Sequence, residues 1–203
     1  MERTARSALP LLTLAMAGLL SCDVRVASAP APIAPTVAAA ATAPDADVEV
    51  VLAHLTQYAA RTGLTEREMR SLSRTIVAEA RRHRLDPRLV LAVVHVESRY
   101  DTYAVSDKQA MGLMQMLPST GEWLAAQVGV VWRGPQTLFD PTSNVRLGVA
   151  YLRMLLDRYD GNLSAALVAY NWGPAHVDVR LRDGVPLPAD YADLVMRAYG
   201  RHT

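Results

Sequence analysis

The stretch that decides the fold is Asp86-Pro87-Arg88-Leu89-Val90-Leu91-Ala92-Val93-Val94-His95-Val96-Glu97-Ser98. Asp86 is an N-cap and Pro87 suits the first helical position, so a helix opens at Arg88. From Leu89 to Val94 it is apolar on every side. A helix apolar all round is a core helix, and the others must pack around it. It ends in Glu97. With Leu89 on the core face, Val93 and Glu97 lie on that face at i+4 and i+8. A carboxyl there is partly desolvated, which raises its pKa, and a protonated carboxyl at neutral pH can donate to a leaving group. On this residue alone a second reading stays open, a Glu exposed at a fraying helix end.

Helix signals continue on both sides. Val48, Val51, Leu52, Leu55 and Tyr58 form one face of a helix that stops at Gly63. Thr65 and Glu68 make a capping box for a helix carrying Met69, Leu72, Ile76 and Ala80. Its end, Arg81-Arg82-His83-Arg84, suits the negative end of a helix dipole better than it suits a binding patch. Asp140-Pro141 repeats the Asp-Pro device and opens a helix through Leu155, with Gly161 as its C-cap. Asn162 caps a short Ala-rich helix to Tyr170. Two more are expected near Pro174–Arg182 and Pro188–Tyr199. No stretch alternates with period two, so residues 48–203 are expected to form one all-α domain.

The N-terminal quarter reads differently. Met1-Glu2-Arg3-Thr4-Ala5-Arg6 precedes an uncharged run from Ala8 to Leu20. A short positive start and a short apolar run make a signal peptide over residues 1–21. That run is too short to span a bilayer. The only cysteine comes at once, in Leu19-Leu20-Ser21-Cys22, which resembles the lipobox of bacterial lipoproteins. The resemblance implies cleavage before Cys22 and a lipid on its thiol. The alternative is an ordinary signal peptide with an incidental cysteine. Residues 27–44 hold nine Ala and four Pro, have little to bury, and read with residues 22–47 as a tether. Its 26 steps from Cys22 to Val48 span roughly 80 Å as polyproline II and about 30 Å as coil.

Composition excludes several classes. There are 203 residues, with 21 Lys+Arg against 20 Asp+Glu. Without residues 1–21 the count is 19 of each, so no basic excess supports nucleic-acid binding. A lone cysteine allows neither an intrachain disulfide nor a Cys-rich zinc site. No metal or cofactor is called for.

Beyond Glu97-Ser98 come Ser106, Ala110-Met111-Gly112-Leu113-Met114-Gln115, Pro118-Ser119-Thr120, Leu138-Phe139-Asp140-Pro141, Asn144-Val145-Arg146-Leu147-Gly148, Ala169-Tyr170-Asn171-Trp172-Gly173-Pro174 and Gly184-Val185-Pro186, with Tyr191 and Val195 last. In this order and spacing they resemble the family 23 lytic transglycosylases, the soluble-transglycosylase-like domain related to goose-type lysozyme, over roughly residues 70–200. The resemblance implies an all-α lysozyme-like fold with a groove for a peptidoglycan strand. It places the general acid/base at Glu97 and a cleft serine at Ser106. It implies that the backbone at Gly112 passes close to the sugar, that Met114 is an apolar wall under a ring, and that Gln115 is an amide partner for an N-acetyl group. It also implies that the Tyr170 hydroxyl reaches the catalytic carboxylate and that Tyr191 lies near the site. Asn171 is expected to hold the turn to Gly173-Pro174 beside the cleft. The plainer readings stand beside these: Met114 as core, and Ser98 as a hydroxyl bonding helix backbone.

Two positions depart from the family pattern. Gln109 stands where glycine is usual. Trp172 stands where a small residue is commoner, and its indole either stacks on a sugar or fills a gap. The resemblance implies substrate-assisted cleavage between N-acetylmuramic acid and N-acetylglucosamine, leaving 1,6-anhydro ends. A hydrolytic muramidase using Asp101, four residues on, or another carboxylate to direct water is the competing enzyme reading, and a non-catalytic wall-binding module is the competing class. The implied location is periplasmic and lipid-anchored. Which machinery the enzyme serves, secretion or wall turnover, is not specified by any motif.

Overall fold

A computed structural model of the chain describes residues 45–201. The expected leader, most of the expected tether, and Cys22 lie outside the described residues. Among the described residues the architecture is helical: α1 (Ala46–Thr56), α2 (Ala59–Thr62), α3 (Glu66–Arg82), α4 (Pro87–Ser98), α5 (Pro118–Val128), a 3-10 turn (Pro135–Phe139), α6 (Pro141–Arg158), α7 (Leu163–Trp172), α8 (Pro174–Arg182) and α9 (Asp190–Gly200). The extended pairing is limited to two isolated antiparallel bridges, Val105 with Met111 and Met111 with Met116.

Side chains at the helix starts explain the boundaries. The Asp86 carboxylate accepts from Arg88 N–H at 2.8 Å, and Asp140 accepts from Ser143 N–H at 2.7 Å. Asn162 accepts from Ala165 N–H at 3.0 Å. In the capping box Glu68 accepts from Thr65 N–H at 2.8 Å while Thr65 accepts from Glu68 N–H at 3.3 Å. Each bond supplies a donor group at a helix start with a partner that the helix lacks. The basic end of α3 is structural. Arg81 pairs with Asp45 and Asp47 at the start of α1, and Arg82 lies 3.9 Å from Glu79.

α4 is the centre. Leu89 through Val94 are all buried, and α4 packs against α9, α3 and α1. A second, smaller apolar cluster gathers Met116, Leu124, Ala125, Val130, Leu138 and Leu147 beside α5 and the 3-10 turn. Tyr151 and Tyr170 pack on both clusters, their rings 5.4 Å apart, and so mark the seam between them.

Several element expectations need correction. The helix expected to run on to Gly63 is broken at Gln57 and Tyr58 into α1 and α2, and α6 is capped at Tyr159 and not Gly161. α1 starts at Ala46, two residues before the expected Val48, because Asp45 caps it. α9 starts at Asp190 and not Pro188. α5 was not expected at all. It has no capping side chain, and Gly121 sits in its interior. That glycine is packing, not punctuation: a Cβ there would lie 3.1 Å from both Leu138 Cδ2 and a Trp132 ring carbon.

Gly148 on α6 answers to the same constraint. A Cβ there would meet Met114 Cβ at 2.7 Å and Met114 Sδ at 2.5 Å. Gly148→Ala therefore overpacks the contact between α6 and the loop before α5. A loss of about 1–3 kcal/mol is expected, read from denaturant unfolding with an unchanged slope.

Candidate active site

Glu97 is half-buried at the C-terminal end of α4. The residues after it are tightly pinned. Arg99 and Tyr100 both take left-handed conformations, with φ of 51° and 69°. Two consecutive non-glycine residues there are strained. The strain is held by buried partners. Ser98 Oγ donates to Val94 O at 3.1 Å and accepts from Tyr100 N–H at 3.1 Å, and Tyr100 is fully buried with its hydroxyl donating to Leu91 O at 3.2 Å. Ser98 thus closes the helix end and bonds backbone.

Burial pushes the Glu97 carboxyl up to about 7, against the lowering effect of a hydrogen bond donated by Tyr191 to Glu97 Oε1. No neighbouring carboxylate takes part in that shift. At neutral pH the group is therefore divided between acid and base forms, as a proton shuttle needs. Burial and the nearby Glu97 hold both Tyr170 and Tyr191 far above the usual phenol range, so each stays a neutral donor.

The two tyrosines exchange their expected roles. The Tyr170 hydroxyl donates to Met114 O at 2.8 Å and lies 3.5 Å from Met116 Sδ, while the bond to Glu97 belongs to Tyr191. Tyr170 therefore fastens the loop before α5 to α7, and α9 positions the carboxyl.

That loop is the other wall. Met111 and Met116 exchange backbone bonds of 3.0 and 3.1 Å, and Gly112 N–H donates to Ala104 O at 2.9 Å. Gln115, at φ 46°, donates its amide to Ala104 O at 3.1 Å and Gly112 O at 3.0 Å. Ser106 Oγ accepts from Ala110 N–H at 3.1 Å and closes a turn with Gln109 at φ 62°. The left-handed backbone at Gln109 is the physical reason glycine would suit that position.

Several expectations are corrected here. Met114 is wholly buried and cannot lie under a sugar ring. Gly112 is needed for a different reason than closeness to sugar: at φ 75°, a Cβ would sit 2.2 Å from Leu138 O and 2.4 Å from Asn144 Nδ2. The Gln115 amide nitrogen is held by loop carbonyls, which makes it a loop brace. Asn171 does not hold the turn to Gly173-Pro174. That turn is closed by Gly173 N–H donating to Ala169 O at 2.8 Å, and Asn171 is exposed. It lines a hollow of about 340 Å³ with Val168, Trp172, Tyr191 and Leu194. Trp172 is half in solvent there, with the Arg180 guanidinium 5.6 Å from its ring centroid. Asp101 is exposed and accepts from Tyr103 N–H at 2.8 Å.

Sequence reasoning missed Asn144. It is fully buried, and its amide makes three bonds: Oδ1 accepts from Met114 N–H at 2.8 Å, and Nδ2 donates to Met111 O at 2.9 Å and Leu138 O at 2.8 Å. The signal was an asparagine four residues past the Asp140 cap, inside a helix, where a polar side chain needs a partner elsewhere.

The transglycosylase SLT domain family matches residues 74–183 of this chain. The chain belongs to that family. The match ends before Tyr191, on α9. Among similar curated proteins are the transglycosylase of Enterobacteria phage PRD1, 42% identical over 99 residues (49% of this chain, 34% of that one), and the membrane-bound lytic murein transglycosylase C of Cronobacter sakazakii, 38% identical over 108 residues (48% and 30%). The chain thus spans about a third of the length of the curated relatives it matches. An inactive mutant of the lytic transglycosylase Slt from Pseudomonas aeruginosa superposes with a TM-score of 0.52 at 30% identity, covering 63% of this chain and 21% of that one. The 70 kDa soluble lytic transglycosylase of Escherichia coli shares the fold, with a TM-score of 0.53 at 24% identity over 58% of this chain and 21% of that one. The fold is the all-α lysozyme-like one.

The raised Glu97 pKa has a stability consequence. The folded carboxyl, at about 7, binds its proton more tightly than the unfolded one at 4.5. Stability is therefore lost as pH rises from about 4.5 through about 7, by on the order of 3 kcal/mol. Glu97→Gln removes the ionisation. Its melting temperature should exceed that of the parent at pH 8 by more than it does at pH 4.5, measured by thermal unfolding at both.

Proposed function

We propose that this chain is a lytic transglycosylase that cuts the β-1,4 bond between N-acetylmuramic acid and N-acetylglucosamine in peptidoglycan, with Glu97 as acid and then base. The observation that carries the reading is a half-buried carboxyl with a pKa of about 7, held by Tyr191, whose shift involves no second carboxylate. Retaining and inverting glycosidases both use a carboxylate pair. A site with one carboxyl suits a substrate that supplies its own nucleophile. In the proposed sequence Glu97 protonates the glycosidic oxygen, and the N-acetyl carbonyl of the substrate stabilises the anomeric carbon. The carboxylate then takes the proton of the C6 hydroxyl, whose oxygen closes the 1,6-anhydro ring. The proton count balances and no water is consumed.

The family membership and the named activities of the relatives support the substrate class. Of the carboxylates the hydrolytic reading allows, Asp101 is committed to a turn at the surface, where it accepts from Tyr103 N–H. In this reading Ser106 and Asn171 stand as binding-site positions, and Gly112, Met114 and Gln115 contribute from inside the loop. Gly112, Met114 and Gln115 act by shaping the loop, and Asn171 faces the solvent side.

Digestion of peptidoglycan followed by mass spectrometry should yield anhydromuramoyl ends, and reducing ends would overturn the claim. Glu97→Gln should lower cleavage by on the order of 10²–10⁴-fold. The rate should fall as pH rises through about 7, where Glu97 loses the proton it must donate.

The anchor belongs to the same proposal. Lipid on Cys22 would hold the enzyme at the periplasmic face of a membrane. Relatives named as membrane-bound support that location, and no helix among the described residues is long and apolar enough to cross a bilayer. Cys22→Ala should move the enzyme from the membrane fraction to the soluble one, while unchanged fractionation would refute lipidation.

A further inference from the structure

Two roles are open to Trp172, stacking on a sugar or filling a gap. The packing decides against the second. The indole is 43% exposed and stands at the edge of a hollow of about 340 Å³ that it leaves unfilled. Val168, Asn171 and Trp172 of α7 line one side, at i, i+3 and i+4 of one helix face. Pro188, Asp190, Tyr191 and Leu194, at and just before the start of α9, line the other. Tyr191 serves two places at once: it lines the hollow, and its hydroxyl donates to Glu97. The hollow is therefore a neighbour of the catalytic carboxyl, separated from it by one tyrosine.

The indole is held ready. The Arg180 guanidinium lies 5.6 Å from the ring centroid and is itself fixed by donating to Pro186 O at 3.1 Å. Trp172 O accepts from His176 Nδ1 at 3.0 Å, and Gly173 N–H closes the helix on Ala169 O at 2.8 Å. Contacts from α8 and from the loop before α9 thus steady a side chain that solvent still reaches. An aromatic ring ordered before binding loses little freedom on binding.

The lining suits one face of a sugar ring. The axial C–H groups of a β-linked glucosamine make a flat apolar face that packs on an indole, and its equatorial hydroxyls and acetamido group need hydrogen-bond partners at the edge. Asn171 and Asp190, both exposed, supply an amide and a carboxylate there, and Leu194 extends the apolar surface. The volume is near the low end of small-ligand pockets, roughly 300–1,000 Å³, which is room for one ring and not for a strand. Charge then selects among the rings. Among the residues that line the hollow, Asp190 alone is charged, and it is acidic. A lactyl or stem-peptide carboxylate beside it meets like charge, which repels it. An N-acetylglucosamine ring carries no charge.

We infer that Trp172, with Asn171 and Asp190, binds an N-acetylglucosamine ring of the strand beside Glu97, and that Trp172 is a specificity-determining residue of this chain. A small residue, commoner at this position, would offer no such platform. The identity of the strand rests on the proposed function, whereas the sugar platform does not.

Binding is measured on the full chain from its indole N–H and backbone amide signals. The probes are chitotetraose, N-acetylglucosamine, and N-acetylmuramic acid, which differs from the last neutral sugar by its lactyl group alone. The two neutral probes should shift the Trp172 indole signal saturably, with Asn171 and Leu194 following, and the acid should bind about fivefold more weakly. Asp190→Asn should close most of that gap. On peptide-free glycan strands Trp172→Ala should raise KM about tenfold and leave kcat within about twofold of the parent, and Trp172→Phe should restore most of the loss. Equal binding of N-acetylglucosamine and N-acetylmuramic acid would overturn the inference. So would shifts confined to Trp123 or Trp132, an unchanged KM, or a loss confined to kcat. If Trp172→Ala melts early, the parent's own indole shift decides, since it needs no variant. Reducing ends in the digest would overturn the proposed reaction and leave the sugar binding standing. Anhydro ends with an unmoved Trp172 signal would overturn this inference and leave the reaction standing.

Discussion

A carboxyl at the end of a helix buried from Leu89 to Val94 is the constraint on which the rest of the site depends. α4 is apolar from Leu89 to Val94 and packed against α9, α3 and α1. Its C-terminal end carries Glu97, and the surrounding packing removes much of that carboxyl from water. A carboxyl placed there holds its proton more tightly than in water, at a cost to stability at neutral pH. Tyr191 offsets part of that cost by donating to the carboxylate, and so ties α9 to the C-terminal end of α4, as Tyr199 ties it to Asp86 at the other end. The strained pair Arg99 and Tyr100 belongs to the same account. A helix that simply unravelled after Glu97 would let the carboxyl reach water, and Ser98 and Tyr100 prevent that through buried bonds.

The opposite wall is held by a polar device inside an apolar setting. The loop from Asp101 to Leu117 has little regular structure, so its backbone groups need partners from elsewhere. Asn144 provides two of them from α6 and Tyr170 a third from α7, while the remaining Asn144 bond reaches the 3-10 turn. Glycine at 112 and 148 lets the loop approach these elements at distances that any Cβ would forbid. The surroundings of Glu97 are therefore built from elements that meet only in three dimensions: the end of α4, a braced loop, and two tyrosines from α7 and α9.

This explains which features could be read from the chain and which could not. Helix starts are local. Asp86, Asp140, Asn162 and the Thr65–Glu68 box act within three residues, and each was found where its side chain predicted. α5 lacks a capping side chain and carries a glycine whose purpose, room for Trp132 and Leu138, is tertiary. The burial of the helix that carries Glu97 was readable from composition, whereas the choice of Glu97 as acid/base came from the resemblance. The roles of Tyr170 and Tyr191 were not readable, since a hydroxyl 56 residues from Met114 and another 94 from Glu97 are assigned by the packing of α7 and α9. Met114 and Gly112 carry family identity, yet they serve the interior of the loop and not its surface.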